Sequence, residues 1–140
     1  MKTIVIGYDD TDVSKRALER AAAFAKAFDA KVVVTSVTPL HPGTARSVGP
    51  IDPTDTPEMH AEQLEHASAA LAEQGITPEL VSATGDPAAA IVKLADEREA
   101  DLVVVGTREP NVVERLMHQS VSRQVARQVH RDLLIVHPLH

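Results

Sequence analysis

Thr3 to Tyr8, Lys31 to Val37, Leu102 to Gly106 and Leu133 to Val136 are short, predominantly apolar runs rich in β-branched residues. A strand with one face in water alternates apolar and polar side chains, because successive Cβ atoms point to opposite sides. These runs do not alternate, so both of their faces need cover, and the usual solution is a parallel sheet between helices. A weaker fifth run, Thr77 to Ala83, carries Leu80 and Val81 but begins beside Pro78. The expected fold is a single doubly wound α/β domain with a five-stranded, mainly parallel sheet and about four helices.

The intervening segments have helical spacing. From about Ser14 to Phe28, the residues Leu18, Ala21, Ala22, Ala25 and Phe28 fall on one face, with Lys15, Arg16, Glu19 and Arg20 on the other. From about Thr56 to Glu73, Met59, Leu64, Ala67 and Leu71 form a stripe, and Gly75 suits the position after the helix end. Asp86 can cap a third helix whose first turn accepts Pro87, with Ala90, Ile91 and Leu94 facing inward up to about Ala100. A fourth begins near Ser120, whose hydroxyl suits the amides of Ser122 or Arg123, and continues through Val121, Val125 and Val129. Strand and helix alternate along the 140 residues, with no internal repeat and no sign of a second domain. The proline-rich stretch His41 to Pro57 breaks the rhythm and is expected to be a mobile loop.

In such sheets ligands bind beyond the carboxyl ends of the strands. Those ends are Gly7 to Asp10, Val37 to Pro39, Ala83 to Asp86 and Gly106 to Glu109. Aromatic residues make up only 2% of the chain, and the formal net charge is -6, so both base stacking and attraction to phosphate backbones are weak. Nucleic acid is therefore not an expected partner. There is no cysteine for thiolate chemistry or a thiolate metal site, and no stretch approaches a membrane span. A soluble cytoplasmic protein is the expectation.

The YDDTDVS stretch resembles the paired carboxylates of phosphoacceptor receiver domains, but LVSATGD and LLIVHPLH do not supply the acceptor Asp and the Lys that such a domain needs. Asp10 and Asp12 then read as solvated loop carboxylates, and Asp86 as a helix cap. The seven histidines are scattered, His60 and His66 point to different sides of one helix, and no metal ligand set emerges, so most should lie at the surface. No GxSxG elbow marks a nucleophile, and no residue is assigned a catalytic role.

The ordered set IVIGYDDTDVSKRAL, GDPAAAIVKLA, ADLVVVGTR and ERLMHQSVSRQV closely resembles the universal stress protein family over essentially the whole chain, taken as one domain over residues 1–140. The resemblance implies a Rossmann-like sheet of the adenine nucleotide alpha hydrolase type and a UspA-like role in stress response. It matches Asp9 to the acidic residue ending the first strand, Val37 to the apolar residue offered to adenine, and Gly85 to Pro87 to a GxP helix start. Nucleotide-binding members carry a glycine, two residues, a second glycine, nine residues, and a third glycine followed by Ser or Thr. Here Gly106 matches, Glu109 and Gln119 replace the other two glycines, and Ser120 matches. Many relatives also carry glycine where Asp10 stands.

Glycine lets backbone amides approach phosphate oxygens without a Cβ in the way. A Glu109 carboxylate held about 5 Å from one phosphate charge would repel it by roughly 3 kcal/mol at an effective dielectric near 20, unless it turns to solvent or Arg108 and Arg115 offset it. The candidate nucleotide contacts are Asp9, Val37, Gly106, Thr107, Arg108, Ser120, Val121 and Ser122. The resulting expectation is a small stress-response or signalling protein without robust catalysis, holding ATP or another adenine nucleotide weakly or not at all. An ATP-binding member with slow hydrolysis and a ligand-free dimeric scaffold are the alternatives. The family's usual homodimer would pair Leu133 to Val136 with its own copy.

Overall fold

The computed structural model describes residues 1–39, 56–107 and 121–139. The described elements alternate as β1 (Thr3–Gly7), α1 (Asp12–Phe28), β2 (Lys31–Thr38), α2 (Pro57–Glu73), β3 (Glu79–Thr84), α3 (Pro87–Glu97), β4 (Leu102–Gly106), α4 (Val121–Gln128) and β5 (Asp132–Val136). The strands form one sheet in the order β3-β2-β1-β4-β5, and every pair is parallel. The expected five-stranded doubly wound sheet is thus present, with β5 at one edge and β3 at the other. Most of the expected loop His41 to Pro57 lies outside the described residues, as do Arg108, Ser120, Glu109 and Gln119.

The period-two geometry of the central strands sorts the core into two layers. Ile4, Ile6, Val32, Val34 and Val104 pack against α1 and α2, whereas Val5, Val33, Val103 and Val105 pack against α3 and α4. Continuous apolarity holds for β1, β2 and β4. In β3, by contrast, half-buried and exposed residues alternate, and among the described residues no strand lies beyond it.

α1 starts where the Thr11 hydroxyl accepts the Ser14 amide at 3.2 Å, and ends at Asp29, whose φ of 52° takes the left-handed conformation. Ala17, Ala21, Ala22 and Ala25 are buried, so this helix lies close on the sheet. Phe28, expected on the apolar face, is instead 52% exposed at the last residue of the helix and stacks on Phe24. α2 is capped by Thr56 with Pro57 in its first turn, and Gly75 at φ 79° follows its end as expected. Its buried stripe is His60, Leu64, Ala67 and Leu71, with Met59 only half-buried.

Asp86 caps α3 through the Ala89 amide at 2.9 Å, and Ala88, Ile91, Leu94 and Ala95 face the sheet. The helix stops at Glu97, earlier than Ala100, because Glu99 turns left-handed at φ 49°. Arg98 at this end grips Glu79 with Nη2 to Oε2 at 2.6 Å and Nε to Oε1 at 3.1 Å, tying α3 to the start of β3. The Arg98 hydrogen bond holds the Glu79 carboxyl below its ordinary range, against an opposing effect of burial, with further attraction from Arg98 and Lys31. Asp101 Oδ2 accepts the Lys2 and Thr3 amides at 2.7 and 3.0 Å and anchors the start of β1 beside β4.

Candidate functional site

The chain leaves β1 toward β2 on one side and later returns to place β4 on the other, so the strand order reverses between β1 and β4. A crevice opens beyond the carboxyl ends of strands at such a point. Two glycines let helices pack closely at these strand ends. A Cβ at Gly106 would sit 3.1 Å from Val13 Cγ2 and 3.2 Å from the Val13 carbonyl carbon, so glycine allows the first turn of α1 to rest on the end of β4. A Cβ at Gly7 would meet Ile91 Cδ1 at 2.9 Å, so α3 uses the other side of β1 in the same way.

Asp9 lies on the exposed turn between β1 and α1. Its Oδ1 accepts the Thr11 hydroxyl at 2.6 Å and the Thr11 amide at 3.1 Å, while the Ser14 hydroxyl donates to Thr11 carbonyl oxygen at 3.0 Å. These bonds define the orientation of the Asp9 carboxylate at the lip of the crevice. Val37 is 9% exposed at the end of β2, in the layer under α3 and α4. Gly106 and Thr107 end β4, where the Thr107 amide donates to Val136 carbonyl oxygen at 2.9 Å. Val121 opens α4 in an exposed position and Ser122 is buried behind it. Six of the eight sequence candidates are therefore described, at or near the ends of strands and helices; Arg108 and Ser120 lie outside the described residues.

Asp10 departs from the expected solvated carboxylate, whereas Asp12 is exposed as expected. Asp10 has a φ of 63°, its side chain is only 29% exposed, and its Oδ2 accepts the His66 Nδ1–H at 2.7 Å. The neighbouring Tyr8 phenol is pushed well above its ordinary range, chiefly by burial and then by the Asp10 carboxylate. Asp10 Oδ1 is buried and has no hydrogen-bond partner among the described residues. These residues head a cleft of about 470 Å³ between α1 and α2, floored by Leu18 and Leu71. A smaller cleft of about 330 Å³ lies beside β3 and α3, lined by Thr35, Val81 and Leu94. Neither is lined by Val37, Gly106, Thr107 or Ser122.

The structure also brings together a Ser/His pair that nothing in the sequence singled out. His60, one of seven histidines of which most were expected at the surface, is 7% exposed, and its Nδ1 lies 2.5 Å from Ser36 Oγ. Ser36 Oγ donates to Gln63 Oε1 at 2.8 Å, so the His60 ring is the donor in the first bond. A general base must accept the nucleophile's proton, and here the proton of Ser36 points elsewhere. The network instead fastens α2 to β2. The available signal was a histidine four residues before Leu64, on the same stripe. Among the described residues no group of three acidic, histidine or cysteine side chains could hold a metal ion, and no helix is long and apolar enough to cross a membrane.

Residues 1–137 match the model of the universal stress protein family. A universal stress protein of Mycobacterium tuberculosis is 35% identical over 147 aligned positions, which cover 97% of this chain and 96% of that one. The crystal structure of a universal stress protein in complex with cAMP is 33% identical, superposes with a TM-score of 0.73, and is covered to 96% by 97% of this chain. A universal stress protein from Archaeoglobus fulgidus in complex with dAMP is 25% identical with a TM-score of 0.71, covering 97% of this chain and 98% of its own. With the sheet order, the paired glycines and the strand-end aspartate in place, the match along the sequence and in space shows that this chain belongs to the universal stress protein family.

Proposed function

We propose that this chain is a cytoplasmic stress-response or signalling protein that takes an adenosine monophosphate type of ligand in the crevice at β1, β2 and β4, and that it performs no robust catalysis on it. The observation that carries this reading is the relative in complex with cAMP, which is 33% identical and matched over nearly its whole length. A ligand with one phosphate suits the residues here. Asp9 and Val37 belong to the nucleoside end of the crevice, and the positive end of the α4 dipole favours a single anion. In the family's motif Glu109 and Gln119 replace glycines, which would let a longer phosphate chain approach the backbone closely. ATP therefore binds with a dissociation constant weaker than micromolar.

Calorimetry with AMP, cAMP and Mg²⁺-ATP tests this directly. The expected order places a monophosphate ahead of ATP, and Glu109→Gly combined with Gln119→Gly tightens ATP more than AMP. A submicromolar constant for ATP in the unaltered chain overturns the reading.

The edge strand β5 supports a homodimer as part of the proposal. Leu133, Leu134 and Ile135 are only half-buried, and β5 pairs with β4 on one side alone. Pairing of β5 with its own copy would cover the open edge. Sedimentation equilibrium at micromolar concentration should report twice the chain mass of 15.0 kDa. Ile135→Pro should return the monomer by deleting a ladder donor, whereas a monomeric parent chain rejects the dimer.

A further inference from the structure

We infer that His66 and Asp10 act as positioning residues for nucleotide binding, clamping the turn that presents Asp9 to the crevice against helix α2. The inference rests on the nucleotide reading above. Its starting point is the left-handed φ of 63° at Asp10, a conformation that glycine adopts freely and other residues seldom do. With aspartate there, the chain keeps the turn and gains a carboxylate.

The two consecutive aspartates have different partners. Asp9 Oδ1 is bonded within its own turn to the Thr11 amide and hydroxyl, at 3.1 and 2.6 Å. Asp10 lines the cleft between α1 and α2, and its Oδ2 is 2.7 Å from His66 Nδ1. A carboxylate only accepts, so the His66 nitrogen donates. His66 stands on a firm support, since Leu64, Ala67 and Leu71 of the same helix are buried and His60 is bonded to Ser36 of β2. The bond therefore ties the peptide after Asp9 to an element fixed independently of the turn, and narrows the positions Asp9 can occupy before ligand arrives. Preorganisation of this kind raises affinity without a new ligand contact. His66 is 61% exposed, which keeps the effect modest.

Titration of cAMP and AMP into wild type, His66→Ala, Asp10→Asn and Asp9→Ala tests the clamp. His66→Ala should weaken both ligands about two- to fivefold, the range an exposed pair can deliver. Asp10→Asn tolerates the same backbone and keeps an acceptor oxygen, so it should fall between wild type and His66→Ala. In the Asp9→Ala background, His66→Ala should add nothing, because the residue it positions is gone. If Asp9→Ala abolishes binding, amide resonances decide instead. His66→Ala should then shift the Asp9 and Thr11 amides of the free protein, and unmoved amides overturn the clamp. Equal binding by wild type and His66→Ala, or the same loss with and without Asp9, also overturns it. If the unaltered chain takes up neither cAMP nor AMP, the nucleotide reading itself fails and the clamp falls with it.

Discussion

Gly106→Ala is a one-carbon change whose cost can be worked from the packing at the end of β4. The added Cβ would lie 3.1 Å from Val13 Cγ2 and 3.2 Å from both Val13 Cγ1 and its carbonyl carbon. Carbon atoms prefer separations of about 3.5–4.0 Å, so the first turn of α1 must retreat by a few tenths of an ångström. Rotation of Val13 relieves two of the contacts, but the third is backbone and moves only with the helix. Overpacking of this kind costs typically 1–3 kcal/mol, and about 2 kcal/mol is expected here. For a chain of this size that lowers Tm by about 4–8 °C. Urea unfolding followed by circular dichroism measures it. Two further variants test the mechanism. Val13→Ala should recover about 1 kcal/mol in the Gly106→Ala background, through coupling rather than addition. Gly7→Ala should be milder, because its 2.9 Å contact is the terminal methyl of Ile91, which can swing aside. Stability of Gly106→Ala within about 0.5 kcal/mol of wild type, or no coupling to Val13, refutes the argument.

Other outcomes follow from the same packing. Leu71→Ala, at a side chain 1% exposed under α2, should cost about 3 kcal/mol in urea unfolding. Ser36→Ala removes the acceptor of the His60 ring and the donor to Gln63, and should cost about 1–2 kcal/mol, with faster amide exchange in the first turns of α2. Because Arg98 holds the Glu79 carboxyl below its ordinary 4.5, the ion pair contributes fully above about pH 4.5 and loses its contribution as pH falls through the lower folded value. Glu79→Gln should therefore lower stability at pH 7 and flatten the acid limb of the stability profile below about pH 4.5, and an unchanged acid limb counts against the ion pair.

The sheet was legible because burial on both faces leaves a plain trace in runs such as VVVTSV and LVVV, and the expected cap Asp86 lies at its helix start. β3 read weakly for a physical reason: every second residue of it, Leu80, Ser82 and Thr84, is exposed, and the polar residues among them interrupt its apolar signal. Phe28 misled because helical spacing says which residues share a face but not how far along the helix that face is covered. The site was partly legible. Gly106 and Asp9 stand out at strand ends, and the resemblance supplied their context. The roles of Asp10 and His66 depend on a backbone dihedral and on a contact between segments fifty-six residues apart, and neither has a local signature. The same holds for the Ser36 and His60 pair, which a long connection separates in sequence.

The position of β1 at the middle of the sheet has a consequence for how the chain acquires its fold during synthesis. Ile4 pairs in register with Val32 on one side and with Leu102 on the other, so its two partners leave the ribosome far apart in time. At ordinary elongation rates the interval is on the order of several seconds, long compared with helix formation and hydrophobic collapse. Through that interval β1, α1, β2, α2 and β3 can assemble as half a sheet whose growing edge is its most apolar strand. Chains arrested before Asp101 should consequently be captured by chaperones and digested rapidly by protease, whereas arrest after the exit of Gly106 should yield protection. The reversal of strand order that opens the crevice in the finished protein thus also sets the latest moment at which its centre can close.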